Sequence, residues 1–187
     1  MKQKTVTFIS HLASRTGAPL LLLHALQHMK SVVWKKRVAL MQDGPLRTEF
    51  SSVCPTTILP KGSKKIMQYL SPISRSQVPD LYYLNSHSYN FIHRAQQEHV
   101  PVICHVHEVA LSFAQLPNAT LELFKTYPKR YIAVSDYVYH LLTADMKIPE
   151  ERICTIPSGI DVQYWQRHSN GHVKRKNVFL ETQRHSI

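Results

Sequence analysis

Short apolar runs recur along the chain, each followed by small or polar residues and then by a stretch with helical spacing. Residues 5–10 read as a strand. A Ser, Arg, Thr and Gly loop then leads into a helix over 18–30, where Leu20, Leu23 and Leu26 mark a buried face and Pro19 suits the first turn. Residues 38–41 form a second predicted strand, ended by the turn signal Asp43, Gly44, Pro45, and residues 56–59 a third, followed by a helix over 63–70. Further strands are expected at 81–84, 102–105, 131–134 and 153–156, separated by helices near 89–98, 121–127 and 136–144. Alternation of short buried strands with helices predicts an α/β domain built on a doubly wound, mainly parallel sheet.

In such a sheet ligands bind beyond the carboxyl ends of the strands. The residues expected there are polar or small: Ser10 and His11; Asn85, Ser86 and His87; His105, His107 and Glu108; Ser135 and Asp136; and residues 157–159 (Pro-Ser-Gly). One rim of the sheet therefore concentrates the candidate chemistry, although loops of this kind use Ser, Asn and Gly for caps and turns as well.

Composition narrows the class. With 187 residues, 43% hydrophobic and 19% charged, 5 Gly and 11 Pro, the chain is neither collagen-like nor low-complexity, and it is long enough to bury a core without staples. Its three cysteines, Cys54, Cys104 and Cys154, form no close pair and are expected to be reduced and buried, which points to a cytoplasmic location. The apolar stretches near the start are too short and too interrupted for a signal peptide or a membrane span. Residues 118–120 (Asn-Ala-Thr) fit a glycosylation pattern by chance.

The net charge of +11 is unevenly spread: residues 1–79 hold 12 Lys or Arg against two acids, and residues 80–187 hold 11 against 10. Lys35, Lys36, Arg37, Lys61, Lys64, Lys65 and Arg75 carry most of the excess, so the basic region 30–75 suits an anionic partner, foremost a phospholipid surface or a lipid-linked phosphate. Nucleic acid is not expected, since no nucleic-acid-binding motif accompanies the charge. A solvated basic face with no partner is the plain alternative.

Thr16, Gly17 and Ala18 open a helix, where a small residue lets an anion approach free N–H groups; a simple tight turn accounts for them too. They match neither a Walker loop nor a dinucleotide fingerprint. His105 and His107 share one face of a strand end, with Glu108 next. His105 reads as a hydrogen-bonded core histidine, and His107 as the one able to meet a substrate hydroxyl or phosphate. Two histidines fall short of a metal's ligand set, so no metal is expected. Ser135 is placed to cap a helix.

Residues 14–19 (Ser-Arg-Thr-Gly-Ala-Pro), 80–86 (Asp-Leu-Tyr-Tyr-Leu-Asn-Ser), 101–108 (Pro-Val-Ile-Cys-His-Val-His-Glu), 131–136 (Tyr-Ile-Ala-Val-Ser-Asp) and 156–161 (Ile-Pro-Ser-Gly-Ile-Asp) occur in order. Together they resemble the N-terminal half of family 4 glycosyltransferases, up to about Trp165. The resemblance implies one Rossmann-like half of a GT-B fold, the half that mainly holds the acceptor, and a retaining transfer that needs no catalytic metal or other cofactor. It implies His107 as the histidine contacting the transferred sugar, with Glu108 beside it as the second catalytic candidate. Thr16, Gly17, Ala18, Asn85, Ser86 and Ser135 would line the same site against acceptor and donor phosphates.

Two departures are small: Thr16-Gly17 where the family commonly pairs glycines, and Ser158 where it commonly has Asn. A larger one is that the chain ends at Ile187 without the second, donor-binding domain. Residues 1–165 are then the N-terminal domain, and 166–187 a linker or the start of a missing one. The expected function is the acceptor-binding half of a transferase moving a sugar from a nucleotide-diphosphate donor to a glycan or lipid-linked acceptor. It is expected to be inactive alone, either as a natural truncation or as one half of a split enzyme whose C-terminal domain is separately encoded, and peripheral at the inner face of the membrane. The rivals are a non-enzymatic module binding a glycan, lipid phosphate or membrane surface, and an independent nucleotide-binding enzyme using His107.

Overall fold

Burial on both faces sets the character of the central strands. In the first, β1 (Lys4–Ser10), Val6 and Phe8 pack to one side and Ile9 to the other, all nearly inaccessible. The computed structural model describes residues 3–30, 34–59 and 78–159. Within them β1 is followed by α1 (Gly17–His28), β2 (Trp34–Leu40), α2 (Arg47–Val53), β3 (Thr56–Ile58) and β4 (Leu81–Asn85). Then come a 3₁₀ turn (Tyr89–Phe91) running into α3 (Ile92–Gln97), β5 (Val102–Val106), α4 (Ala110–Ala114) and α5 (Asn118–Thr126). β6 (Arg130–Ala133), α6 (Asp136–His140) continuing into a π-helical turn (Leu141–Asp145), a 3₁₀ turn (Glu150–Arg152) and β7 (Ile153–Thr155) complete the order.

The seven strands are all parallel, in the order β3-β2-β1-β4-β5-β6-β7. The expected doubly wound sheet is thus observed. Leu22, Leu23, Leu26, Leu46 and Phe50 from the α1–α2 side pack on Val6, Phe8, Val38 and Leu40. The opposite face carries the larger core, in which Ile92, Phe113, Phe124 and Val138 from α3 to α6 cover Ile9, Leu84, Cys104 and Tyr131. Phe124 anchors it, its ring 4.7 Å from that of Tyr89 and 5.3 Å from that of Tyr131.

Some expectations are revised. α2 and α4 were not foreseen; each is short and anchored by one buried aromatic, Phe50 and Phe113. β2 begins at Trp34 rather than at Val38, so Lys35, Lys36 and Arg37 are strand residues, at the end of the sheet away from the candidate rim. Lys36 is already committed: its ammonium donates to the carbonyls of Leu26 and Met29 at 2.7 and 2.9 Å, closing the C-terminal end of α1. Cys54 and Cys104 are buried, but Cys154 is exposed, because β7 is an edge strand with only β6 beside it. The helix expected at 63–70, the cations Lys61, Lys64, Lys65 and Arg75, and the linker at 166–187 lie outside the described residues. No described helix is long and apolar enough to cross a membrane.

Gly44 is more than a turn signal. A Cβ there would lie 2.5 Å from the carbonyl oxygen of Ala13, which itself accepts from the N–H of Leu46 at 2.8 Å. The β1–α1 and β2–α2 loops therefore meet backbone to backbone. Gly44→Ala is expected to lower stability by about 1–3 kcal/mol, the usual cost of forced overpacking, read from a urea transition. Gly17 is the opposite case: a Cβ there meets nothing within 4 Å, so Gly17→Ala leaves the fold intact.

Candidate functional site

The sheet order reverses between β1 and β4, whose neighbours in sequence diverge to either side. A crevice opens at such a switch point, and the loops leaving β1, β4 and β5 border it. They bring together His11, Asn85, Ser86, His87, His105, His107 and Glu108.

Glu108 is the hub. Its side chain is 1% exposed and accepts hydrogen bonds from Ser86 Oγ, from the Tyr89 hydroxyl and from the backbone N–H of His107, the last at 3.0 Å. Burial, with Glu108 adding, pushes the Tyr89 phenol well above its ordinary range, so it remains a donor. His87 Nε2 stands 3.9 Å from the same carboxylate on the solvent side. Glu108 thus ties the β4 and β5 exit loops together. Ser86, held at φ 57° in the left-handed region, also donates its backbone N–H to the His105 carbonyl at 3.0 Å. Such a conformation costs a non-glycine residue about 1–3 kcal/mol and persists where surrounding bonds hold it.

On the α1 side of the crevice, Asn85 donates to the Ala18 carbonyl at 3.1 Å, joining β4 to the first turn of α1. Thr16 occupies the position before α1 with extended backbone, yet its hydroxyl pairs with Ser14 Oγ at 2.6 Å and does not cap the helix. The first N–H groups of α1 consequently have no side-chain acceptor. Ser135 behaves as expected of a cap, accepting from Val138 N at 3.3 Å, and takes no part in the Glu108 network.

Four imidazoles line the rim. The rings of His11 and His87 meet edge to face at 5.4 Å, and those of His105 and His107 lie 4.2 Å apart. As expected, His105 has a core partner, the Tyr83 hydroxyl 2.8 Å from its Nδ1. Four buried polar atoms here have no partner in the structure: His11 Nδ1, Asn85 Oδ1, His105 Nε2 and His107 Nε2. Unpaired buried polar atoms are uncommon, and four of them gather at this rim. Among the described residues no three His, Cys, Asp or Glu are grouped to hold a metal ion. In the described parts of the strand-exit loops the one Lys or Arg is Arg15, and it pairs with Glu49.

Sequence reasoning placed His11 and His87 at the rim without assigning them to the site, and it missed Tyr83 and Tyr89. Their signal is long-range: Tyr83 meets His105 across 22 residues, and Tyr89 meets Glu108 across 19.

Burial makes His11, His105 and His107 acid-sensitive. His105 is pushed down to about 3, chiefly by burial and then by His107; burial is also the main cause lowering His11 and His107. In the unfolded chain a His titrates near 6.5, so between there and pH 3 the unfolded state holds a proton that folded His105 refuses. Stability is therefore expected to fall as pH drops below 6.5, with His105 alone approaching about 1.4 kcal/mol per unit. Urea midpoints at successive pH values measure the slope, and His105→Phe should flatten it. A midpoint that stays constant through this window would contradict burial of neutral imidazoles.

The family model for glycosyltransferase family 4 matches residues 38–164, more than half of the chain. No curated protein matches it in sequence. Among solved structures, HepE of Anabaena, in complex with UDP and glucose, superposes with a TM-score of 0.66 at 18% identity over 87% of this chain and 46% of its own. A glycosyltransferase of Rickettsia africae gives 0.66 at 17%, over 88% and 45%. The lipopolysaccharide outer core galactosyltransferase WaaB, in its apo form, gives 0.59 at 10%, over 83% and 46%. The chain spans about half the length of these structures, and at such identities their likeness speaks for the fold. With the family match across β2 to β7 and the parallel sheet it accompanies, the chain belongs to glycosyltransferase family 4.

Proposed function

We propose that this chain is the acceptor-binding half of a retaining glycosyltransferase, which holds a glycan or lipid-linked acceptor while a nucleotide-diphosphate sugar is presented by a second domain. The observation that carries this reading is the group of four buried, unpartnered polar atoms at the switch point. Neutral imidazoles and an amide match a saccharide, whose hydroxyls both donate and accept. The described loops suit a diphosphate poorly, since their one cation, Arg15, already faces Glu49. HepE is described with UDP and glucose, which favours a nucleotide-sugar donor for this family member.

Within this reading His107 contacts the sugar through Nε2, and Gly17 and Ala18 offer their helix-end N–H groups to the acceptor or donor phosphates. Glu108 has a different part from the one its position suggested: with its carboxylate enclosed, it holds His107 and Ser86 in place as a positioning residue. The reading assigns no metal and no organic cofactor. A cytoplasmic site beside an anionic membrane belongs to it as well, with Lys35 and the cations beyond Leu59 as the contacting groups, since Lys36 is committed to α1. Salt-sensitive sedimentation with anionic vesicles tests that part; no sedimentation at low salt would remove it.

The direct test is saccharide binding by the purified chain, followed by ligand-observed NMR with simple hexoses and their oligomers. Binding is expected in the wild type and to be weakened about tenfold in His107→Ala, the size of one lost hydrogen-bonded contact of ~1.4 kcal/mol. A chain that binds none of them lacks the function proposed. Nucleotide-sugar hydrolysis by the isolated chain, abolished in His107→Ala, would instead favour an independent enzyme.

A further inference from the structure

Asn85 and His105 are register partners on β4 and β5, so they leave the same face of the sheet with their backbones about 5 Å apart. Asn85 is 0% exposed and His105 7%, and each has one polar atom engaged and one without a partner. The engaged atom of Asn85 fixes the chemistry of its free one. A carbonyl only accepts, so the Asn85 group meeting Ala18 O is its NH₂, and the free end is the acceptor Oδ1. The Tyr83 phenol, raised by burial, keeps its proton and shares one hydrogen bond with His105 Nδ1, whose direction the imidazole tautomer sets. In the tautomer whose Nδ1 accepts from the phenol, a neutral imidazole carries its own proton on Nε2, and the free atom of His105 is then a donor.

A buried acceptor beside a buried donor matches one common group, a hydroxyl, which donates to the first and accepts from the second. A phosphate, with acceptor oxygens, would satisfy His105 and be turned away by Asn85; an ammonium would do the reverse. Asn85 is therefore set against the phosphate contact its position at the rim suggested. His107 forms the outer wall, its ring 4.2 Å from that of His105. Its backbone N–H is held by Glu108, but its side chain is only half-buried and can turn about its own bonds toward a ligand.

We propose that His105 holds the Nε2–H tautomer and that Asn85 and His105 form a recess for a single hydroxyl behind His107, filled by one hydroxyl of the bound saccharide, which makes the pair a specificity-determining contact of the site. This rests on the saccharide reading above, and the test separates the two. The chain is labelled with ¹⁵N-histidine and titrated with D-glucose, D-galactose, D-mannose and N-acetylglucosamine. Without sugar, His105 is expected as the Nε2–H tautomer; an Nδ1–H tautomer would overturn the proposal. With sugar, the His105 Nε2 and His107 signals are expected to move together, and more for one hexose than for its epimers. Movement of His107 alone would mean that the recess holds only water, which sinks the recess and spares the saccharide site. Movement of neither would sink both. His105→Phe, which fills the recess and retains a ring against His107, should weaken the preferred hexose about tenfold and erase the discrimination among epimers. If that variant fails to fold, the wild-type tautomer and titration still decide the matter.

Discussion

Replacing Glu108 by leucine is expected to lower the melting temperature by roughly 10 °C, given about 2–4 °C per kcal/mol for a domain of this size. The side chain it removes accepts three hydrogen bonds, from Ser86 Oγ, the Tyr89 hydroxyl and the His107 N–H. Two of those donors belong to residues that are 4% and 1% exposed, so water does not replace the lost acceptor. Each abandoned buried donor costs about 1–3 kcal/mol, and the leucine recovers part of this through its apolar contacts. A net loss of about 3–4 kcal/mol results, on the order of the largest single-residue effects. Glu108→Gln is expected to lose less than half as much, because one oxygen still accepts while the new NH₂ faces a hydroxyl that can turn. The order wild type, Gln, Leu in circular-dichroism melts is the diagnostic. A leucine variant that melts within a degree or two of wild type would show that the β4 and β5 exit loops are held by something else.

This network also shows where local pattern stops informing on structure. The strands were legible because their apolar runs are short and bounded, and their carboxyl ends followed from the parallel order; hence Asn85, Ser86, His107 and Glu108 could be placed at one rim in advance. Which of them face each other depends on the register of β4 against β5, for which local periodicity has no signal. Glu108 consequently read as a group available to substrate, whereas its partners 19 and 22 residues upstream enclose it. The same limit explains α2, whose Thr, Ser and Val residues are weak helix formers overridden by the burial of Phe50. It explains Gly44 too, whose need for glycine comes from Ala13 on a different loop. Lys36 illustrates the reverse error: a charge counted toward an external partner serves the end of a helix ten residues back.

No sugar transfer from a nucleotide-diphosphate sugar is expected from the 187-residue chain alone, even where saccharide binding is measured. Breaking the bond to the diphosphate builds negative charge on the leaving group, and each preorganised donor meeting such charge contributes about 10²–10³ in rate. The described crevice offers little of that kind. Burial favours the neutral form of His11, His105 and His107, Glu108 adds an acidic side chain at its wall, and Arg15 is paired with Glu49 on the α2 side. Its unpartnered polar atoms and the uncapped first turn of α1 would, on the proposed reading, orient an acceptor and raise the rate only once a donor stands opposite. The assay is release of nucleoside diphosphate and of labelled glycan from UDP-glucose by a monomeric, chromatographically pure sample, run beside Glu108→Leu and His107→Ala as controls. Turnover at the level of both variants and of buffer agrees with a half-site. Turnover well above them, in wild type alone, would mean that this chain carries its own means of stabilising the leaving diphosphate, and the division of labour between two domains would have to be abandoned.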